Sequence, residues 1–349
     1  MTRSAATPAG PDLAGVGLVV LAAACFGTLG PLSRFAGDAG VDSLSIVTWR
    51  AGLGTTVMAG FIAARMVLSN VRPISLRTVP IRDRWFMLAA AAANTLLNLS
   101  AFIAFERISI AMTLLVFYLY PAGVALVSRV WFGERLDRLR WGALAISLAG
   151  MALVVAGAGD LGQLDLLGVG LAFVAAVTQV FYVLAARHGF AHVPGPQAAA
   201  LTMGGAFLMY LAIAGVVLVL PRGPEVSLLQ PLASVGALWP VLLAGVLGAG
   251  IPTVSFIIGI RRLGPSPAAI LATLEPVVGV GLAAWLLAEQ PTGLQLLGGA
   301  FILVAAVLLQ LRRRGRGTVA DHEAVQREEP QPAAGSPTDL EERAESTRL

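Results

Sequence analysis

The sequence has no lysine, one cysteine and three histidines among its 349 residues. The lone thiol, Cys25, cannot form an internal disulfide, and no group of Cys and His residues has metal-ligand spacing. These absences argue against a disulfide-stabilised domain. They also leave no candidate site for a metal, and no cofactor is expected.

Charge of either sign is scarce as well. Only 13% of residues are charged, against about a quarter in soluble domains, and 57% are hydrophobic. The mean hydropathy is +0.80. This composition is typical of an integral membrane protein with several spans. The net charge is +4, but the few charges fall between the apolar runs, so their placement marks the membrane topology. No nucleic-acid partner is expected.

Ten apolar runs are long enough to cross a bilayer as helices, which takes about 20 residues each. The sequence therefore predicts an all-α integral membrane fold with ten transmembrane helices. We interpret the first run as a spanning helix and not as a signal peptide, because no basic flank directly precedes it. The runs are 13–33, 44–68, 85–105, 108–131, 140–159, 165–187, 197–220, 235–260, 264–288 and 292–311.

The distribution of arginine predicts the orientation in the membrane. Twelve arginines lie in loops 2–3, 4–5, 6–7 and 8–9, and three lie in the opposite loops. Both the N-terminal tail, 1–12, and the C-terminal tail, 312–349, are therefore predicted to be cytoplasmic, at the inner (plasma) membrane. The C-terminal tail is polar and rich in Glu, Pro, Ala and Ser, which predicts disorder.

The two halves of the chain look duplicated. A shift of 155 residues places Arg107 on Arg262 and Tyr120-Pro121 on Glu275-Pro276. The predicted repeats are 13–159 and 165–311, with five spans each. Five crossings reverse direction, so the copies should be inverted. Inverted repeats are typical of alternating-access transporters with a binding site near the midplane.

Several short motifs follow one another in a set order, and the proline motif of the first half recurs in the second. They are YLYP at 118–121 followed by GERL at 133–136, LEP at 274–276 followed by AEQ at 288–290, AFERI at 104–108, GIRRLG at 259–264 and TWRA at 48–51. Over about residues 13–311, this ordered set resembles the EamA-like group of the drug/metabolite transporter superfamily. The chain departs from that pattern at Phe26-Gly27, where the family commonly has tryptophan-glycine, and at Tyr120-Pro121, which replaces an acid-proline pair.

Glu275 is the foremost candidate site residue because it interrupts a long apolar run. An ionised carboxylate at mid-bilayer is costly unless it meets water, a partner or a proton. We expect it to face a cavity and to bind a substrate ammonium group or a proton. The alternative is a fixed strut bonded to a neighbouring hydroxyl or to Arg50. Pro276 should kink the helix and leave one carbonyl without its usual donor. The residues at one-turn spacing are small: Ala268, Ala272, Gly279 and Ala283.

The equivalent face of span four predicts an aromatic, hydrogen-bonding wall. It carries Thr113, Phe117, Tyr120 and Val124, with Pro121 as a second helix-breaking position. Such a wall opposite an acidic one suits a small amphiphile with an amino group, although the rings could also serve packing alone.

Arg50 is the basic counterpart in span two. It could reach the outer interface, pair with Glu275 or bind a substrate carboxylate. An arginine and a glutamate facing one cavity would fit a zwitterion such as an amino acid.

The weaker candidates follow helical spacing. Asn94 and Asn98 share a face of span three, where lining and helix-helix hydrogen bonding are equally plausible. We interpret His188 and His192 as solvated loop residues, and Glu134 and Glu289 as helix-end structure. The remaining candidates for pathway lining are Thr178, Gln179 and Tyr182 in span six and Thr253, Ser255 and Phe256 in span eight.

These observations predict a secondary active transporter and not an enzyme. There is no GxxxxGK[ST] motif, so uphill transport would need an ion gradient, with protons as the candidate ion. The resemblance implies export of small metabolites, here amino acids or related amines. The alternatives are a multidrug exporter of cationic compounds, a membrane enzyme or a sensor. The expected partners are the substrate and the bilayer, and the protein could be a monomer or a homodimer.

Overall fold

The computed structural model describes residues 12–69, 72–108, 110–134, 137–157, 165–219, 227–286 and 290–308. Every regular element within these ranges is a helix. The tail predicted at 312–349, the N-terminal tail before Asp12 and the Glu289 position lie outside the described residues.

The helices follow the predicted order of apolar runs. Nine segments of the described chain are long and apolar enough to cross a membrane, and a shorter apolar helix follows them at the end of the described ranges. The helices are α1 Leu13–Gly27, α2 Leu29–Asp38, α3 Ser43–Ser69, α4 Ile81–Arg107, α5 Ile110–Phe117, α6 Tyr120–Phe132, α7 Arg138–Gly157, α8 Leu166–Leu184, α9 Gly195–Val219, α10 Val235–Gly245, α11 Ile251–Leu263, α12 Pro265–Ala272, α13 Glu275–Leu286 and α14 Gly293–Leu308.

Four of the ten spans are built from two helices each. Span one is α1 with α2, span four is α5 with α6, span eight is α10 with α11, and span nine is α12 with α13. The other spans are single helices, in order α3, α4, α7, α8, α9 and α14. A π-helical turn at Val246–Gly250 joins the halves of span eight, and another at Ala185–Gly189 ends span six.

Local sequence signals explain several of the helix ends. Asp12 caps α1 by accepting a hydrogen bond of 2.9 Å from the backbone of Gly15, and Asp165 caps α8 in the same way through Leu167. Gly133 ends α6 with a φ of 64°, a left-handed conformation that glycine adopts at low cost. Span three begins four residues earlier than predicted, because Pro80 precedes a polar first turn that can still be helical.

The packing of the spans repeats between the two halves. Span one packs against span eight, and span six packs against span three. The 155-residue relation pairs span one with span six and span three with span eight, so these are two copies of one contact. The described helices therefore carry the internal symmetry that the sequence suggested.

Spans five and ten cross with their backbones in close approach. A Cβ atom added at Gly298 would lie 2.7 Å from the backbone nitrogen of Val154, and one at Gly150 would lie 2.6 Å from the carbonyl oxygen of Gly298. Small residues permit such an approach, which favours helix association in a bilayer.

We expect Gly298→Val to destabilise the protein by about 1–3 kcal/mol, the usual cost of overpacking, because the new side chain must push the two helices apart. Thermal unfolding of the purified protein in detergent would measure this as a lower transition temperature. Gly142→Val is the matched control, because nothing lies within 4 Å of a Cβ at that position of span five. Equal effects of the two variants would contradict the proposed close crossing.

Candidate functional site

Spans four and nine break at equivalent positions. In span four, Tyr118 and Leu119 form a turn between α5 and α6, and in span nine Thr273 and Leu274 form the turn between α12 and α13. The two breaks are 155 residues apart, as the repeat requires. Tyr120 and Glu275 are thus the first residues of equivalent half-helices.

The two prolines have a different structural role from the predicted one. We expected Pro276 to kink a continuous helix and to remove a hydrogen bond from its interior. Instead, Pro276 and Pro121 each occupy the first turn of a new half-helix. The backbone N–H groups of that turn have no intrahelical acceptor in any case, so proline is tolerated there. The preceding turn is closed by tighter bonds, from Thr273 N–H to the carbonyl of Ile270 at 3.2 Å and from Leu274 N–H to that of Leu271 at 3.1 Å.

Glu275 therefore lies at the N-terminus of α13, inside a membrane-spanning segment. The positive end of the helix dipole favours a negative charge at this point. Glu275 is partly exposed, and the Tyr118 side chain interacts with its carboxylate. Tyr118 itself is almost fully buried, with 2% of its surface exposed. A buried phenol thus lies beside the carboxylate of a residue that is still partly exposed.

The small residues that the sequence placed on the face of Glu275 do not form one continuous face. Ala268 and Ala272 are buried in α12, on the far side of the break. Gly279 lies in α13, where its Cβ position would be 3.6 Å from the carbonyl oxygen of Gly27. A Cβ at Gly27 would in turn lie 2.9 Å from the carbonyl oxygen of Glu275. The glycines therefore bring α1 close to the start of α13, and the Ala283 side chain lies outside the described set.

An aromatic cluster surrounds the break of span four. The ring centroid of Phe117 lies 5.3 Å from that of Tyr118 and 5.2 Å from that of Tyr120, and the two tyrosine rings are 6.1 Å apart. Tyr120 interacts electrostatically with Glu275. Thr113, in the same half-span, is buried with 1% exposure. The predicted aromatic wall and the acid are therefore neighbours.

Arg50 belongs to a polar network that joins three spans. Its Nη2 atom donates a hydrogen bond of 2.7 Å to Oδ1 of Asn98 in span three. The Asn98 amide nitrogen donates to the backbone and side-chain oxygens of Asn94, at 2.8 and 3.0 Å. Tyr210 of span seven donates weakly to the Asn94 carbonyl at 3.4 Å, and Asn94 contacts the sulfur of Met203 in the same span.

Arg50 and Glu275 are close enough to interact electrostatically. No direct ion pair between them occurs in the described structure, since the guanidinium group is bonded to Asn98 instead. Arg50 is partly exposed, as is Glu275. The two opposite charges are therefore partly exposed and near enough to influence each other, without forming an ion pair.

The exposure of the half-helices differs on the two sides of the breaks. All residues of α12, Pro265–Ala272, are buried, whereas Glu275 to Val280 of α13 are all partly exposed. In addition, α12 packs against α6, while the symmetry-equivalent pair, α13 and α5, has no comparable contact among the described residues. Among the described residues, the half-helices of the two repeats thus pack together on the side of α6 and α12, which we call the sealed side, and not on the side of α5 and α13, which we call the open side.

Polar contacts between the repeats reinforce the sealed side. Ser266, at the start of α12, donates a hydrogen bond of 2.9 Å to Oε2 of Glu134, which follows α6. Arg140 lies 3.6 Å from the other carboxylate oxygen of Glu134. Arg262 forms a 2.8 Å ion pair with Asp12 at the same end of the bundle.

The remaining predicted pathway residues have no described contact with Glu275. Thr178 donates to the carbonyls of Val174 and Ala175 in its own helix, and Gln179 is partly exposed beside it. Tyr182 is buried near Thr202 without reaching hydrogen-bond geometry, and Ser255 is buried in α11. No described contact connects these four residues with Glu275.

Of the two histidines predicted to be solvated loop residues, His188 differs and His192 agrees. The His188 ring is partly buried in the π-helical turn and stacks on Phe132, with ring centroids 3.9 Å apart. His192 is exposed in a turn, and its ring lies 2.9 Å from the buried carboxylate of Asp83. The sequence did not reveal these partners because they lie in the other repeat.

Two site residues escaped the sequence interpretation, namely Tyr118 and Tyr210. On an uninterrupted helix, Tyr118 points about 100° away from Phe117, off the predicted face. The break after Phe117 changes that direction and brings Tyr118 to Glu275. Tyr210 is a lone phenol within an apolar helix, a pattern that could have marked it as a polar contact.

Two copies of one five-helix unit, arranged in opposite directions through a bilayer, are the architecture of a multi-pass membrane transporter. The chain belongs to the EamA-like transporter family, whose sequence profile matches residues 13–156 and again residues 166–311. The duplicated match confirms the predicted fold class and the resemblance.

Two relatives of this chain are described as transporters. The chain is 26% identical over 288 residues to a "Probable terminal-alkyne amino-acid exporter" of Streptantibioticus cattleyicolor, covering 78% of this chain and 93% of the relative. It is 29% identical over 303 residues to an "Uncharacterized transporter" of Archaeoglobus fulgidus, covering 85% and 96%. A solved crystal structure superposes with a TM-score of 0.71 at 21% identity, covering 86% of this chain and 97% of that chain, which supports the fold.

Proposed function

We propose that the protein is a secondary active exporter of small metabolites that carry an amino group, such as amino acids or related amines. The observation that carries the proposal is the position of Glu275, at the break of span nine beside the equivalent break of span four. Within the described spans, Glu275 is the acidic residue farthest from a segment end. Intramembrane acids of this kind commonly mark substrate or proton pathways.

The surroundings of Glu275 fit an ammonium group better than an anion. The carboxylate supplies the charge, and the rings of Phe117, Tyr118 and Tyr120 supply faces that attract cations and apolar side chains. The name of the Streptantibioticus relative, an amino-acid exporter, supports the same substrate class for this chain.

The unequal packing of the half-helices supports alternating access. The arginine distribution favours a plasma-membrane orientation with both termini in the cytoplasm. Since α6 and α12 lie at the end of the bundle that carries Asp12, the sealed side would be cytoplasmic and the open side external. Transport would exchange this packing for its mirror arrangement, in which α5 closes on α13.

A proton is the proposed coupling ion because Glu275 can bind a proton or a substrate ammonium group, but not both at once. Entry of a proton from outside would displace the substrate outward, and loss of the proton to the cytoplasm would restore the carboxylate. This cycle needs no nucleotide and uses one titratable group in the cavity.

Counterflow in proteoliposomes tests the proposed function. Purified protein is reconstituted into vesicles preloaded with an unlabelled amino acid or amine, and entry of the same labelled compound is followed. We expect transient accumulation of at least one amino acid, because a carrier exchanges its substrate faster than net flux proceeds. Vesicles without protein give the background. If no amino acid or amine in a broad panel exchanges above that background, the proposal is wrong.

A further inference from the structure

Arg50 has more hydrogen-bond donors than protein partners. A guanidinium group carries five N–H donors and no acceptor. In the described part of the chain, one nitrogen of Arg50 donates to Asn98, and no second acceptor is in hydrogen-bond contact. Arg50 is partly exposed and interacts electrostatically with Glu275. Its unused donors are therefore available to an acceptor that approaches Arg50 from the side of Glu275.

Asn98 holds Arg50 in a defined direction. Because the Asn98 amide nitrogen donates to both oxygens of Asn94, its Oδ1 atom has to face the guanidinium group. Asn94 is itself fixed by Tyr210 and Met203 of span seven. Span two thus presents its arginine through contacts with spans three and seven, which leaves the planar fork oriented before any ligand arrives.

The separation of the charges argues against a purely structural role for Arg50. A strut that only neutralised Glu275 would form a direct ion pair, which is the lower-energy arrangement in a medium of low dielectric constant. Instead, the guanidinium group bonds a neutral amide, and the two charges interact across a gap. A molecule with one ammonium and one carboxylate could occupy that gap with both ends paired.

We propose that Arg50, positioned by Asn98, binds the carboxylate of the substrate, so that the cavity selects zwitterionic amino acids over the corresponding amines. This inference rests on the proposed function and narrows its substrate class. Arginine suits the task because its fork matches the two oxygens of a carboxylate. Glu275 binds the ammonium end, and Asn98 acts on the substrate only through Arg50.

Equilibrium binding to the purified protein in detergent tests the inference without requiring transport. The probes are leucine, phenylalanine and propargylglycine, each compared with its decarboxylated amine. In the wild type we expect at least one amino acid to bind about tenfold or more tightly than its amine, since hydrogen bonds between charged groups have that strength. In Arg50→Gln we expect the affinity for that amino acid to fall about tenfold or more, so that this preference disappears.

Two further variants separate binding from positioning. Arg50→Lys keeps the charge but loses the fork, so part of the preference should remain. Asn98→Ala should weaken amino-acid binding by a smaller factor and leave amine binding nearly unchanged, because the guanidinium group is still present but less well oriented. Arg107→Gln is the matched control, since Arg107 pairs with Asp165 at the end of the bundle, 3.0 Å away.

Any other result contradicts the inference about Arg50, the proposed function or both. If Arg50→Gln weakens amino acids and amines equally, Arg50 is structural and the inference is wrong. If the wild type binds amines as tightly as amino acids, the protein does not recognise the carboxylate and the inference is wrong, while the proposed function as an amine exporter still stands. If the wild type binds amino acids with the expected preference and does not exchange them in vesicles, the inference survives and the proposed function fails. If it binds neither, both fail.

Discussion

Proteoliposomes that contain Glu275→Gln are expected to exchange substrate but not to accumulate it against a gradient. Glutamine keeps the size of the side chain and an oxygen that can face the Tyr118 hydroxyl, so the packing around this position should be kept. It cannot bind and release a proton, so the coupled step is lost. Exchange itself should be slower, because the charge that attracts an ammonium group is gone.

The measurement uses vesicles that are acidic inside, from which protons leave as substrate enters. A tenfold proton gradient is worth about 1.4 kcal/mol, enough for about tenfold accumulation at one proton per substrate molecule. We expect this accumulation in the wild type and none in Glu275→Gln. A variant that accumulates substrate as well as the wild type would show that Glu275 is a structural strut.

Asp165→Asn is the matched control for this experiment. The Arg107 side chain, which hydrogen-bonds Asp165, holds the pKa of that carboxyl below its usual value, so Asp165 is ionised at neutral pH. It lies just before α8, away from the cavity. Replacing this acid by its amide should leave accumulation intact. The comparison shows whether the effect of Glu275→Gln is specific to Glu275 or follows from the loss of any acid.

Joining Glu134 and Ser266 covalently is expected to stop transport. Cysteines at both positions would lie across the seal between α6 and α12, where the native side chains are 2.9 Å apart. The only native thiol, Cys25, is removed by Cys25→Ala, so the introduced pair would hold all the thiols of the chain. Because alternating access has to open this seal once per cycle, exchange should fall in proportion to the fraction of protein that is cross-linked.

Cross-linking is induced with an oxidant during turnover, since Ser266 is buried in the sealed state and becomes reachable as the seal opens. A reducing agent should restore exchange, which distinguishes locking from damage. Each single-cysteine variant, treated with the same oxidant, is the control. Full exchange by fully cross-linked protein would rule out opening between spans four and nine as part of the transport cycle.

The apolar runs and the few charges between them carried most of the fold prediction. Apolar runs of about 20 residues can satisfy their backbone hydrogen bonds within a bilayer in few ways other than as helices, so the number of helices follows from counting. The repeat was visible because the same shift of 155 residues places Tyr120-Pro121 on Glu275-Pro276 and Arg107 on Arg262. The ends of the helices were less well predicted, because polar first turns such as that of α4 remain helical beyond the apolar core.

The candidate site was predicted less completely than the fold. The sequence proposed Glu275, Arg50, Asn94, Asn98 and the aromatic residues Phe117 and Tyr120 as candidates, because each is unusual in an apolar helix. It placed them on faces of uninterrupted helices, and that assumption fails wherever a span breaks. Tyr118 was missed for this reason, and the partners of Glu134 and the two histidines were missed because they come from distant parts of the chain.

The sequence by itself determined that this protein is a duplicated bundle of membrane-spanning helices with one acid at mid-span, because bilayer thickness and the cost of a buried charge act on local composition. The tertiary structure alone decided which tyrosines lie near that acid, which amide holds Arg50 and which pair of half-helices packs together. Those features depend on contacts between residues far apart in sequence, such as Arg50 with Asn98 and Ser266 with Glu134. Helical periodicity carries no information about such contacts, since it describes each span alone.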